Sequence, residues 1–525
     1  MDEQTSVLVV GGSLVGLTAS VLLAHHGVPH VLIERHRGTA IHPRAAAFHQ
    51  RTIEIFRSVG LQEQIEQAAA GEFLQDGAIL SVESLGGPEL AWFYRSVNEG
   101  VEDLSPARRL FITQIGLEPI LRKRAQELGA VHCYGTEMTS FVQHEDGITA
   151  TTRSRDSGAE RRIVARYMIG ADGAHSPVRQ ALDIAMEGRG AFARCATIYF
   201  KADVRALLRG RNLSVVYVNQ PGMLAFFRFS INADSGFLAV FSTFDAQGRR
   251  DSRLEQELSA QDCTELVRAA LGMADDFPVA IENVQPWIAS AATAARFRQG
   301  NVFLAGDAAH VMPPTGGFGG NTGVADVHNL VWKLAMVLDA HAGPALLDSY
   351  DAERRPMAAL TVEQAYRRYV ERVDPSIPAD GLAASLADTA IELGSVYRSG
   401  AVIADGEATA LVEAPETATS RPGTRFPHCW IGDGPDRIST IDLASRSLML
   451  IAGDAGDGWI TAVDRLGLSA RQIREPAVAA ALGLKPTSAV LLRPDGVVGW
   501  RCDNIPRNAA TIVADAIRQL TARTP

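Results

Sequence analysis

With 525 residues the chain is too long for one hydrophobic core, and two or three domains are expected. Apolar residues at 46% and charged residues at 21% exclude long disordered tracts. A formal net charge of −10 excludes non-specific adhesion to DNA or to anionic membranes, so neither nucleic acid nor membrane is expected as a partner.

The opening residues Met1-Asp2-Glu3-Gln4 are acidic and run directly into a strand, unlike a secretory signal. Residues 6–10 are an apolar β run. A glycine-rich turn follows at 11–16, then a helix over 17–26 with Gly27 as its stop. Residues 28–33 form a second apolar run that ends at Glu34. Neither run alternates, so this βαβ unit belongs to a parallel sheet covered on both faces. Residues 42–70 read as helical, and 75–107 as irregular around Gly86-Gly87-Pro88. Residues 114–129 are helical again and lead into strands up to Ile169. Between 190 and 290 several runs alternate apolar and polar side chains, which predicts an antiparallel sheet with one covered face. Strand, glycine loop and long helix return over 298–360. The apolar stretch from Leu330 to Leu347 is broken by Lys333, Asp339 and Pro344, so it is a core helix and not a membrane span. A new unit begins after about 400 and ends in a hairpin turned at Arg493-Pro494-Asp495-Gly496. The five cysteines, at 133, 195, 263, 429 and 502, form no Cys-x-x-Cys and no zinc-type pair. That predicts a reducing, cytoplasmic setting and no metal site.

Three motifs carry chemistry. Gly11-Gly12-Ser13-Leu14-Val15-Gly16 is a dinucleotide turn with Ser13 in place of its second glycine. The helix that follows presents free N–H groups to a diphosphate. Glu34 stands near the spacing expected of an acid that grips a ribose hydroxyl, with Arg35 beside it. An acid there favours FAD or NAD over NADP. The second motif is Asp172-Gly173, followed by Ser176-Pro177 at a helix start; taken alone it is a helix cap. The third is Gly306-Asp307-Ala308-Ala309-His310, followed by Pro313-Pro314-Thr315-Gly316-Gly317-Phe318-Gly319-Gly320-Asn321-Thr322. Its glycines let a backbone lie flush against a flat ligand. A helix starting near Asn321 would face a ring that becomes negatively charged, as a reduced flavin does.

Together these residues resemble the class A flavoprotein aromatic hydroxylases, the group typified by para-hydroxybenzoate hydroxylase. His42-Pro43-Arg44-Ala45, Gln114 before Leu117-Glu118, and Tyr350-x-x-Glu353-Arg354-Arg355-Pro356 also look like that group, and the resemblance covers roughly residues 5–365. Ser439-Thr440-Ile441-Asp442-Leu443 and the 492–501 segment resemble the thioredoxin-like C-terminal domain of its longer members, which include hydroxylases of aromatic polyketides such as anthracyclines. The resemblance implies an α/β fold. A Rossmann-like FAD-binding domain would occupy 1–74, 108–184 and 290–395. An antiparallel-sheet substrate domain would occupy 75–107 and 185–289, and a thioredoxin-like α/β domain 400–525. Lacking Cys-x-x-Cys, the last would have no redox role.

By the same resemblance Glu34 binds the adenosine ribose, and Arg44 and Gln114 contact the FAD. Asp307 binds the ribityl or pyrophosphate region, Asp172 serves both FAD and the nicotinamide, and Pro314 with the 316–322 loop lines the isoalloxazine. NAD(P)H, a transient co-substrate, reduces the flavin. O2 adds to form a C4a-hydroperoxide, and oxygen passes to an electron-rich ring of a small aromatic substrate, with a polycyclic polyketide favoured. Ionising a phenol at neutral pH needs a partner worth roughly 3–4 kcal/mol. The candidates are Tyr217, on a strand of the 190–290 sheet, and Arg398, after the long helices. Baeyer–Villiger or epoxidising chemistry uses the same flavin, and a flavin-holding protein without hydroxylation is the non-catalytic alternative. A flavin halogenase has less support, since no Trp-x-Trp pair occurs. Monomer and homodimer are both open.

Overall fold

The computed structural model describes residues 3–41, 46–245, 247–377, 381–406, 410–444 and 446–523. The contact expected of Arg44 lies outside these residues. The elements that frame the site begin with β1 (Glu3–Val10), α1 (Leu14–His25), β2 (His30–Glu34), α2 (Gln50–Ser58), α3 (Gln62–Glu72), β3 (Ala78–Val82), β4 (Glu89–Tyr94), α4 (Gln114–Glu127), β5 (Val131–Tyr134) and β6 (Glu160–Gly170). Next come α5 (Pro177–Ala181), β7 (Met186–Lys201), β8 (Leu213–Gln220), β9 (Met223–Phe229), β10 (Ser235–Thr243), α6 (Ala260–Leu271), β11 (Ala280–Ala294) and β12 (Val302–Leu304). The chain then forms α7 (Phe318–Leu338), α8 (Asp348–Arg372), α9 (Asp388–Leu393), β13 (Met449–Ala452), α10 (Asp457–Asp464), β14 (Ser469–Gln472), β15 (Ala489–Leu492), β16 (Val498–Cys502) and α11 (Ala509–Leu520).

The first sheet runs β12-β6-β1-β2-β5, and all four of these pairings are parallel. Val7, Leu8 and Val9 are fully buried, as the unbroken apolar run requires of a strand covered on both sides. The central β1 lies between β2 and β6, so the chain reverses direction across the sheet there. Crevices at such switch points, beyond the carboxyl ends of the strands, are where open α/β sheets bind ligands.

The second sheet runs β11-β7-β10-β9-β8-β3-β4. It departs from the expectation in three ways. The stretch 75–107 contributes the antiparallel pair β3 and β4, with Gly86-Gly87 in the connection, rather than irregular chain. Strand β3 pairs with β8 in parallel, so the sheet is mixed. Both faces are covered. Ile198, Phe200, Phe227 and Leu238 pack on Leu266 and Val267 of α6, while Cys195, Tyr217, Leu224 and Phe241 pack on Tyr369 and Val373 at the end of α8. Alternation in sequence sorts side chains between two faces and does not by itself expose either.

The third sheet runs β14-β13-β15-β16, with β13 and β14 parallel and β15 antiparallel to both of its neighbours. Trp459 of α10 meets Trp500 of β16 edge to face on one side, and Phe426, Ile451 and Leu492 fill the other. This is the thioredoxin-like arrangement. Among the described residues no helix is long and apolar enough to cross a membrane.

Candidate active site

Glycines bring β1, α1, β6 and α7 into one crevice. Gly11 has φ +108°, and a Cβ there would stand 2.2 Å from the Ala171 carbonyl oxygen at the end of β6. A Cβ on Gly16 would lie 1.9 Å from the Gly11 oxygen, and one on Gly323 2.5 Å from Val15 Cγ2. The starts of α1 and α7 are thereby pressed together, each end carrying roughly half a positive charge. Helix α1 begins at Leu14, three residues before the predicted start, because Ser13 in extended conformation is already its N-cap. Ser13, Asp307 and Pro314 are exposed along the crevice, and nothing stands within 4 Å of where a Gly173 Cβ would be. An open strip of small and acidic residues ending at two helix N-termini fits an extended dinucleotide.

The serine that breaks the glycine motif has a use. Its hydroxyl donates to Glu118 Oε1 at 2.5 Å, and the same oxygen accepts the Leu14 N–H at 2.9 Å. The other Glu118 oxygen accepts the Ala40 N–H at 2.7 Å, and Gln114 Nε2 stands 3.1 Å from Oε1. Glu118 is fully buried, and burial pushes its carboxyl up. Gln114 therefore supports the turn both directly, at 3.3 Å from Ser13 Oγ, and through Glu118, a residue the motif reading quoted without giving it a role. Their spacing of four on one helix was the available signal. Glu34 accepts the N–H groups of Gly12 at 2.6 Å and His36 at 2.8 Å, and Arg35 is exposed beside it. Asp172 accepts Ser176 Oγ at 2.5 Å and the Val178 N–H at 3.0 Å, so its carboxylate caps α5 while Gly173 faces the crevice.

Helix α7 starts at Phe318 rather than near Asn321, because Gly317 takes the left-handed conformation (φ +68°) that opens the helix early. Gly319 is thus inside the first turn. Asn321 is committed to the scaffold: its Oδ1 accepts His49 N–H at 2.9 Å and Thr52 Oγ1 at 2.6 Å, and its Nδ2 donates to the Ala47 and Gly317 carbonyls. Thr322 Oγ1 donates back to the Phe318 carbonyl. Below the loop, Asp326 accepts the Gly306 N–H at 3.0 Å, pairs with His310 Nε2 at 2.7 Å and with Arg354 Nε at 2.9 Å.

Rings line the sheet face that meets α8. Tyr217 lies edge to face with Phe93 at 5.7 Å, Phe226 contacts Tyr217 and Phe241, and Phe241 contacts Trp287 and Tyr369. The guanidinium that reaches Tyr217 is that of Arg372, which also lies over Phe93. It is not that of Arg398. Arg354, at the other end of α8, bonds the Tyr397 hydroxyl at 2.9 Å, so Arg398 belongs to that end. Arg354 and Arg372 are roughly 27 Å apart at 1.5 Å per helical residue. One turn before Arg372, Arg368 packs over Phe318 and pairs with Asp388. Thr315 Oγ1 donates to the Ala365 carbonyl at 2.6 Å. The glycine loop and the Tyr217–Arg372 pair therefore share the last third of α8. Burial pushes the Tyr217 phenol up. On another face of α7, Asn321, His328, Arg354, Arg425 and Asp495 line a cavity of about 60 Å³, room for a few waters.

A parallel-sheet crevice with paired helix N-termini, facing an aromatic sheet across a glycine loop, defines a flavoprotein that works on rings. Residues 4–365 match the FAD binding domain family and residues 419–523 the aromatic-ring hydroxylase C-terminal family. The chain belongs to the FAD-dependent aromatic-ring hydroxylases, monooxygenases that use NAD(P)H as transient co-substrate. It is 44% identical to 4-methyl-5-nitrocatechol 5-monooxygenase of a Burkholderia species, over 99% of this chain and 98% of that one. It is 36% identical to tetracenomycin A2 monooxygenase-dioxygenase of Streptomyces glaucescens, again over 99% and 98%. Its fold matches aklavinone-11 hydroxylase, solved with FAD and aklavinone, with a TM-score of 0.91 at 34% identity and full coverage of both chains.

Proposed function

We propose that the chain hydroxylates a phenolic ring held on the aromatic face around Tyr217, within reach of the 314–320 loop. When bound, FAD accepts hydride from the nicotinamide and activates O2. The protein's own residues bind, orient and exclude water. The α1 N-terminus over Gly11–Gly16 takes the diphosphate, Glu34 the adenosine ribose, and Asp307 the ribityl side. Gly173, held in place by the Asp172 cap, borders the same strip. Pro314, Gly317, Gly319 and Gly320 flank the ring, while Asn321 and Thr322 keep the loop in shape. The observation that carries the reading is the Arg372 guanidinium over the Phe93 ring that meets Tyr217 edge to face, one helical turn past the arginine that packs on the loop. A guanidinium and a neutral phenol side by side stabilise a substrate phenolate, which is the form that accepts oxygen.

A polycyclic polyketide-type substrate is the first reading. Phe93, Tyr217, Phe226, Phe241 and Trp287 spread rings over five strands, and the relatives acting on tetracenomycin and aklavinone are named for fused-ring compounds. A one-ring catechol is the second reading, favoured by the 44% identical relative named for a nitrocatechol. Baeyer–Villiger or epoxide products would mark the same cofactor turned to another end. The setting we infer is cytosolic, with the cysteines reduced, and the assembly a monomer or homodimer. The test is NAD(P)H oxidation by the purified flavoprotein against nitrocatechols, simple phenols and fused-ring phenols, with product masses. Coupled hydroxylation of fused-ring phenols alone selects the first reading, and of catechols alone the second. Oxidation without oxygenated product in either set contradicts both.

A further inference from the structure

The C-terminal unit carries no redox motif, and beside apolar contacts such as Val497 with Met357 it meets the rest of the chain through buried charges. Arg493, in the turn between β15 and β16, is fully buried and grips both oxygens of Glu353 on α8, at 2.6 and 2.9 Å. It also bonds Asp495 and lies over the Trp332 and Tyr397 rings. Glu353 accepts further bonds from Asn329, Lys333 and Ser399. The next residue, Arg354, holds Asp326 and the Thr322 carbonyl, and Asp326 holds the Gly306 N–H. A second arm runs through α2. Arg425 pairs with Glu54, and Arg51 bonds the Asp495 carbonyl at 2.6 Å. The first turn of α2 is where Thr52 and the cap residue His49 hold Asn321. Both arms of the C-terminal unit thus end on the two segments, 306–310 and 316–322, that form the flavin loop.

Adhesion alone does not call for this arrangement. A buried ion pair gains little over an apolar contact of the same size, because desolvation offsets its attraction, but it fixes register where a greasy contact slides. We propose that the C-terminal domain is a clamp for the cofactor loop, with Arg493 as a positioning residue that sets FAD affinity through Glu353, Arg354 and Asp326. The proposal rests on the reading that the 306–322 segment holds the flavin.

The test is FAD affinity, measured by titrating deflavinated full-length protein and following flavin fluorescence and visible circular dichroism, beside the melting temperature of the apoprotein. Arg493→Gln and Glu353→Gln are each expected to weaken FAD binding tenfold or more and to change the flavin dichroism. The double variant should be no weaker than the worse single one, since one pair is lost in each. Arg493→Lys keeps the charge without the two-pronged grip, so its affinity should fall between wild type and Arg493→Gln; it also serves if Arg493→Gln fails to fold. Arg57→Ala breaks the half-exposed Arg57–Asp442 pair between the same two units and should leave FAD affinity unchanged. If Arg493→Gln and Arg493→Lys lower the apoprotein melting temperature but bind FAD as wild type does, the clamp is refuted. Asp307→Ala separates the two levels: weakened binding there with normal binding in the Arg493 variants sinks the clamp alone. Normal binding in all of them sinks the site reading as well.

Discussion

Tyr217 and Arg372 meet from opposite sides of the ring cluster, one from β8 and one from the last turn of α8. A hydrogen bond to a charged partner contributes about 1.5–3 kcal/mol, which is roughly tenfold to a hundredfold in binding. Arg372→Met is accordingly expected to raise KM for an ionised phenolic substrate by that factor, while Arg398→Met leaves it unchanged; steady-state kinetics on both variants decide the pair. Burial pushes the Tyr217 phenol up, so it remains a neutral donor at working pH and adds no break to the pH–rate profile. At this scale the sequence was partly legible. Tyr217 stood out as a strand aromatic, and Ser13 as an oddity in a glycine motif. Arg372 did not, because nothing local distinguishes it from the other arginines of α8. Only folding shows which turn of a 25-residue helix faces the sheet.

Element boundaries follow backbone conformation more than hydrophobic pattern. Both helices that point at the crevice begin three residues before their predicted starts, α1 after the extended Ser13 and α7 after the left-handed Gly317. The first turn of each helix lies inside a glycine motif, Leu14-Val15-Gly16 in α1 and Phe318-Gly319-Gly320 in α7, and glycines interrupt the apolar period there, so periodicity misses it. Where α7 crosses α1, Gly323 has no room for a methyl: a Cβ would meet Val15 Cγ2 at 2.5 Å and Gly306 Cα at 3.0 Å. Gly323→Ala should part the two N-termini and destabilise the fold by about 1–3 kcal/mol, with FAD released at a lower temperature than in wild type. A thermal ramp followed by flavin fluorescence reads both. The βαβ start, α4 and the final hairpin were legible because each is local. The parallel pairing of β3 with β8 was not, since it joins segments more than a hundred residues apart and no local signal specifies it.

Across the whole molecule, the C-terminal unit is tied to α2 and α8 by buried charge. Glu54, on α2, pairs with Arg425 of the C-terminal unit and with Arg51, and these cations hold its carboxyl down at about 2. Its folded value lies below the ordinary one near 4.5, so its contribution is complete above pH 4.5 and is lost as pH falls towards 2. That contribution is of order 3 kcal/mol. The stability gap between wild type and Glu54→Gln should therefore be widest above pH 4.5 and close by pH 2; denaturant titrations across that range check it. The flavin motifs near the two ends of the FAD-binding match over 4–365, and the separate C-terminal match over 419–523, were legible from the sequence. The charged seam joining them was not, because Glu353 lies in a long helix and Arg493 in a hairpin turn 140 residues away, and no local signal pairs them. The central claim is that this flavoprotein places one atom of O2 on an aromatic ring. The direct measurement is turnover of a phenolic substrate with NAD(P)H under ¹⁸O2, with the product read by mass spectrometry. One labelled oxygen per ring, in proportion to NAD(P)H consumed, is the predicted result. Consumption of NAD(P)H with unlabelled ring and all oxygen recovered as peroxide would contradict it.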